Sequence, residues 1–215
     1  MWDYRSFRGA YMLKMIKCNL IVLYGKYKAR GVYDSQYLTG KWFEQDGQPV
    51  ITGWRWVIRD STDRKRLGTN GDTPWPVSTF SCVTGACNIT FHPDDLNNFQ
   101  GIGCYFQGIG KITIGRGTYI AANVGIITAN HSMDNLNEHD EPEPVTLGNR
   151  CWIGMNSVIL PGVTLGDHTI VGAGSVVTKS FPDGDCVIAG NPARMIRRLN
   201  SLEGEKENEE NTEVR

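Results

Sequence analysis

The chain has 215 residues, room for one large domain or two small ones. Lys and Arg number 22 against 23 Asp and Glu, a near-neutral balance that removes the electrostatic case for a nucleic-acid binder. Hydrophobic content of 40% with 21% charged residues is that of a folded globular chain rather than a disordered one, and 25 glycines without a collagen triplet call for another periodic explanation.

Residues 2–24 place apolar side chains at Phe7, Tyr11, Met12, Met15, Ile16, Leu20 and Leu23, a helical spacing, with Arg5, Arg8, Lys14 and Lys17 on other faces. Such a basic helix either packs on its own protein, the favoured expectation, or lies on an anionic membrane surface as a peripheral contact. The apolar run Leu20–Tyr24 is too short to span a bilayer or to form a signal-peptide core. Six cysteines are scattered singly with no CxxC pair, the pattern of free thiols, so a reducing, cytoplasmic setting is expected. Residues 31–80 hold four of the six tryptophans amid turn signals and read as a short β-rich cap. Residues 201–215 contain six Glu and little apolar material, the composition of a disordered acidic tail.

An internal repeat governs the region between. Steps of six from Ile114 reach Ile120 and Ile126; steps of six from Leu147 reach Ile153, Ile159, Leu165, Val171 and Val177. Glycine follows the anchor at 115, 148, 154, 166 and 172, and small or short residues recur four positions after it. A period of six fits a coil of three short strands in which each anchor points inward and stacks on the one a coil below. One coil cannot bury its anchors alone, so the coils stack into a solenoid. The 21-residue step from Ile126 to Leu147 breaks the register and expels a polar, proline-containing loop at His131–Pro144. Leu96 and Ile102 fall in phase upstream, so the first coils are expected from about residue 80.

These residues resemble the hexapeptide-repeat acyltransferases. The stretch from Leu147 to Leu199, with WIG, ILPGV, VGAGSVVTK and AGNPAR in order, carries the resemblance, and IGRGTYIAANVGIITANH (114–131) extends it. With residues 94–112 the chain looks nearest to bacterial acetyltransferases of surface-polysaccharide biosynthesis. The resemblance implies an all-β fold, a left-handed parallel β-helix over 80–199. A helical and irregular extension with a Trp-rich cap (1–79) would precede it, and the disordered tail (200–215) would come after. It also implies a homotrimer with active sites between neighbouring prisms.

The chemistry implied by the resemblance is acetyl transfer from acetyl-CoA, without a metal, to a carbohydrate hydroxyl. His131, at the loop entrance, matches the family's general base, which would take the acceptor's proton as it attacks the thioester. His139 and His168 read as surface residues. The partner orienting His131 is open among Asp134, Glu138 and Asp140, because the positions where relatives place an upstream partner look like Gln100, Gly101 or Arg116. Trp152 matches an aromatic beside the pantetheine arm, and Ala173 lies in the Gly172–Gly174 segment that hydrogen-bonds it. Lys179, Arg194 and Arg197 match basic positions near the nucleotide phosphates. Asn97, Asn98, Asn130 and Asp134 are candidate acceptor contacts.

Alternative readings are an acetyltransferase for an amino sugar or another small acceptor and a non-catalytic solenoid used as a binding or structural module. A γ-class carbonic anhydrase would need three stacked histidines, and the four here (92, 131, 139, 168) are wrongly spaced. A sugar nucleotidyltransferase would need a nucleotide-binding α/β domain that the first 80 residues are too few to form.

Overall fold

The structure is a computed structural model that describes residues 4–199, with side chains from Met12 onward. The acidic tail and the side chains of Arg5, Phe7, Arg8 and Tyr11 lie outside the described residues. The chain opens with helix α1 (Tyr4–Ala29), a hairpin of β1 (Glu44–Gln45) and β2 (Gln48–Pro49), and helix α2 (Ile51–Leu67). The segment expected as a β-rich cap therefore has a helix, α2, as its main regular element and only a short two-stranded hairpin of sheet. Its buried positions, Gly53, Trp54, Val57, Asp60 and Ser61, do keep helical spacing. Gly68 ends α2 in the left-handed region at φ 68°, returning its N–H to the Arg64 carbonyl.

The solenoid comes next. Its first coil holds β3 (Cys82–Thr84) and β4 (Ile89–Thr90), with a 3₁₀ turn, Pro93–Phe99, in place of the third strand. The second holds β5 (Tyr105–Gln107), β6 (Ile112–Ile114) and β7 (Tyr119–Ile120). The third holds β8 (Gly125–Ile127), β9 (Val145–Leu147) and β10 (Trp152–Ile153). The fourth holds β11 (Val158–Ile159), β12 (Thr164–Leu165) and β13 (Thr169–Val171). The last has β14 (Val176–Val177), a single bridge at Phe181 and β15 (Cys186–Gly190). Finally β16 (Ala193–Arg198) turns back antiparallel on β15.

Three walls result. The first is β3-β5-β8-β11-β14, the second β4-β6-β9-β12, and the third β7-β10-β13-β15-β16; every neighbouring pair is parallel except β15-β16. Val83, Phe106, Ile126, Ile159 and Val177 stack inside the first wall, and Ile120, Ile153, Val171 and Ile188 inside the third. Eight of the nine anchors read from the period are buried, and Ile120 is half-buried.

The upstream phase needs correction. Leu96 is buried, but on the 3₁₀ turn, and Ile102 is 57% exposed. The inward residues there are Val83, Ile89, Phe106 and Ile112, because the early coils are longer than three hexads and carry an extra turn. Glycine follows the anchors where coils touch: a Cβ on Gly115 would collide with the Gly148 carbonyl.

The foot of the prism is closed by aromatic rings. Trp75 lies 5.0 Å from Phe91 and 5.2 Å from Phe99, which in turn lies 4.7 Å from Phe106. A buried ion pair ties α2 to this plug. Asp60 binds Arg64 at 2.8 Å and accepts from Tyr33 Oη at 2.7 Å and from the Val77 N–H at 3.2 Å. Arg64 also reaches Thr73 and the Trp75 carbonyl. Burial, then the Asp60 carboxylate, pushes the Tyr33 hydroxyl well above the usual phenol range.

Helix α1 packs on α2 through Val22, Gly25 and Ala29, and a Cβ on Gly25 would sit 2.9 Å from the Trp54 ring. This is not the face expected to pack: Met12, Met15, Ile16, Leu20 and Leu23 are all exposed.

Asp95 carries a pH-dependent contribution. It is 3% exposed and accepts the Gly117 N–H at 3.1 Å; burial raises its carboxyl above the ordinary value, opposed by that bond. A raised folded value means the native state binds the proton first. On acidification, this group should add stability from its raised folded value down to the unfolded value of about 3.9. Urea melts of Asp95→Asn over that range should lack this rise, and a difference from wild type that stays constant with pH would refute it.

Candidate functional site

The expelled loop, residues 128–144, leaves the corner between the first and second walls. Its base is held from one coil below. Gln107 Oε1 accepts the Thr128 and Ala129 N–H groups at 3.1 and 2.9 Å, and Thr128 Oγ1 accepts the Gly110 N–H at 2.8 Å. Backbone bonds from Glu143 to Thr128, Asp140 to Asn130 and Ser132 to Glu138 then zip the loop into a hairpin.

His131 stands in that hairpin, exposed, with Nδ1 2.9 Å from the Leu136 carbonyl. A carbonyl only accepts, so Nδ1 carries the hydrogen, and the neutral ring leaves Nε2 with a free lone pair. The bond fixes a tautomer suited to taking a proton. The orienting group is thus a backbone carbonyl rather than Asp134, Glu138 or Asp140. Glu138 instead accepts from Asn135 Nδ2 at 2.8 Å. His139 is exposed, as expected of a surface residue, but it has a partner. It bridges to His131 across the hairpin, with ring centroids 4.3 Å apart. His168 also has a partner, lying 2.9 Å from Asp185 and half-buried at a corner with φ 55°.

The other candidates are dispersed. Trp152, 55% exposed, lies on the outer surface of the third wall, the wall opposite the loop's corner. Register aligns Tyr119, Trp152, Ile170, Val187 and Arg197 in one outward column, an apolar stripe ending in a cation. At about 4.8 Å per strand, Trp152 and Arg197 are roughly 14 Å apart. Arg194 is exposed on the same strand, β16. Ala173 is exposed in the turn from the third wall to the first, beside Gly174 at φ 69°. Lys179 lies on the corner that carries the loop, two coils on, with Nζ 5.8 Å from the Phe181 ring centre.

Asn98 is better explained as structural. It is 2% exposed, donates to the Thr118 carbonyl at 2.8 Å and accepts the Ile120 N–H at 2.9 Å. It thereby serves β7 as the missing strand of the first coil would. Neighbouring Asn97 is half-buried, and its side-chain oxygen has no protein partner. Both stand on the third wall, whereas Asn130 and Asp134 are exposed and share the loop with His131. Arg116 pairs with Asp94 at 3.4 Å, and Gln100 is bonded to Arg59 and the Pro76 carbonyl. A cleft of about 690 Å³ lies at the foot of the first wall, lined by residues 68–73 and by Phe80, Cys82 and Tyr105; His131 is not among its lining. Among the described residues, no three His, Cys, Asp or Glu side chains converge as metal ligands.

Gln107, His139 and the Leu136 carbonyl escape a reading of the sequence. Gln107 sits in a coil whose phase the period does not carry, and the other two depend on how the expelled loop folds back.

Comparison with known proteins shows what the chain resembles. Residues 144–179 match the family described as bacterial transferase hexapeptide (six repeats). Nodulation protein L of Rhizobium meliloti (strain 1021) is 43% identical over 110 residues, 46% of this chain and 54% of that protein. The chain spans about half the length of the first curated relatives it matches. Among solved structures, a maltose O-acetyltransferase from Clostridium difficile 630 aligns with a TM-score of 0.50 at 27% identity, covering 86% of this chain and 89% of that one. A galactoside acetyltransferase in complex with coenzyme A aligns with a TM-score of 0.51 at 28% identity, covering 87% and 84%. The six-residue period, the three-walled coil it builds and these likenesses converge: the chain carries the bacterial transferase hexapeptide repeat over residues 144–179 and is similar in sequence and fold to hexapeptide-repeat acetyltransferases.

Proposed function

We propose that the protein is an acetyl-CoA-dependent O-acetyltransferase acting on a carbohydrate hydroxyl, working on the cytoplasmic side in surface-polysaccharide assembly. The carrying observation is the His131–Leu136 bond, which leaves Nε2 as a proton acceptor at an exposed loop. In this reading Nε2 takes the acceptor's proton as its oxygen attacks the thioester carbonyl. The tetrahedral species then collapses, the ester forms, the C–S bond breaks, and the departing thiolate takes the proton from the imidazolium. No acyl-enzyme is needed, only two substrates held together.

A trimer of left-handed prisms accords with the placement of the candidates. His131 and Trp152 occupy opposite sides of one prism, so a site using both takes them from different chains. The tryptophan stripe would carry the donor's arm, with Arg194 and Arg197 near its phosphates and Ala173 and Lys179 at the flanking corners. Asn97, Asn130 and Asp134 remain as acceptor contacts. The domain division proposed is the helical and Trp-rich segment 1–79, the acyltransferase solenoid 80–199 and the acidic tail 200–215.

The test is release of free thiol from acetyl-CoA in the presence of monosaccharides, oligosaccharides and lipid-linked glycans. Acceptor-dependent thiol with an acetyl ester on the product is expected. Transfer only to an amine would favour the amino-sugar reading, and absence of transfer across the panel would favour a binding module. Trp152→Ala should weaken coenzyme A binding by about 1–3 kcal/mol through lost stacking. Calorimetry showing wild-type affinity would remove the third wall from the donor site.

A further inference from the structure

Helix α1 has two apolar faces, and α2 occupies one of them. Val22, Gly25 and Ala29, with half-buried Cys18 and Ile21, form the inner face against α2. At 3.6 residues per turn, Met12, Ile16, Leu20, Leu23 and Tyr27, with Leu13 and Tyr24, fall within an outer arc of about 120° on the opposite side. All seven are exposed, between 49% and 67%. The helix is too polar to cross a membrane: no described helix is long and apolar enough for that.

Charge indicates what covers this face. Residues 1–30 hold seven Lys and Arg against one acid, Asp3, although the whole chain carries −1. Exposed Lys17 and half-buried Lys28 border the arc on one side, and exposed Lys26 borders it on the other. An apolar strip with cationic margins and a Tyr pair at one end is complementary to a plane whose interior is apolar and whose surface is negative. A second copy of α1 would bring like charges together along those margins.

We propose that α1 lays its outer face on an anionic lipid surface, with the α2-packed face turned to the protein, so that the solenoid is held beside the membrane. This does not depend on the chemistry assigned to His131.

The test uses the full chain and co-sedimentation with vesicles of phosphatidylcholine containing phosphatidylglycerol, against vesicles of phosphatidylcholine alone. Binding to the anionic vesicles is expected, falling as salt is raised. Leu20→Glu/Leu23→Glu should reduce it about tenfold or more, and Lys17→Glu/Lys26→Glu should reduce it to the level seen on neutral vesicles. Both variants should keep the wild-type melting temperature, because the altered side chains are exposed. Equal binding to both vesicle types, unchanged binding by the variants, or a lowered melting temperature would overturn the proposal. So would a fall in sedimentation-velocity mass on Leu20→Glu/Leu23→Glu, which would show that another copy of the chain covers the face.

Discussion

His131→Asn should lower kcat by about 10²- to 10⁴-fold while acetyl-CoA binds as before, because general-base catalysis contributes on that scale and the substitution leaves the walls intact. Asparagine can still donate to the Leu136 carbonyl, so the hairpin should persist while the proton acceptor is lost. His139→Ala is expected to have an intermediate effect, since it removes a ring packed against that of His131. Stopped assays of thiol release, paired with calorimetry of coenzyme A, separate turnover from donor binding. A variant within a few-fold of wild type would end the role assigned to His131.

Asp60→Ala should destabilise the fold by about 3–5 kcal/mol, the usual cost of leaving a buried charge without its partner. The variant strands Arg64, which is only 10% exposed, and removes the acceptor for Tyr33 and the Val77 N–H. Those groups join α2 to the segment leading into the aromatic plug, so the loss spreads to the foot of the solenoid. Asp60→Asn, which keeps an acceptor, should lose less. Urea midpoints report both, and a shift below about 1 kcal/mol for the alanine variant would mean the network is not what holds α2 in place.

The solenoid was legible because a stacked inward position repeats its chemistry at every coil. Ile153, Ile159, Leu165, Val171 and Val177 each fill the same kind of slot, so the period reads directly from the chain. Upstream, each coil has its own length and the slots are filled by Phe106 and by Leu96 on a 3₁₀ turn, so stepping by six lands on exposed Ile102. Helix α2 was hidden for a different reason. Its buried face is made of Gly53, Asp60 and Ser61 as well as Trp54 and Val57, so apolar spacing alone understates it. Helix α1 was legible as a helix, but its orientation was not, because the side that packs uses small residues and the side that looks apolar faces outward. His131 could be found from the broken register, but its orienting carbonyl could not. Backbone groups carry no sequence signature.

The antiparallel return of β16 also bears on assembly. A parallel coil that simply stopped at β15 would present unpaired N–H and C=O groups matching the spacing of another coil, a template for end-to-end growth. β16 occupies that edge on the third wall and carries Arg194, Arg197 and Arg198, so molecules approaching end to end meet like charges. At the opposite end the aromatic plug fills the space where another layer of anchors would stack. The solenoid is therefore finite by construction, and a chain shortened to end at Gly190 should tend toward filaments.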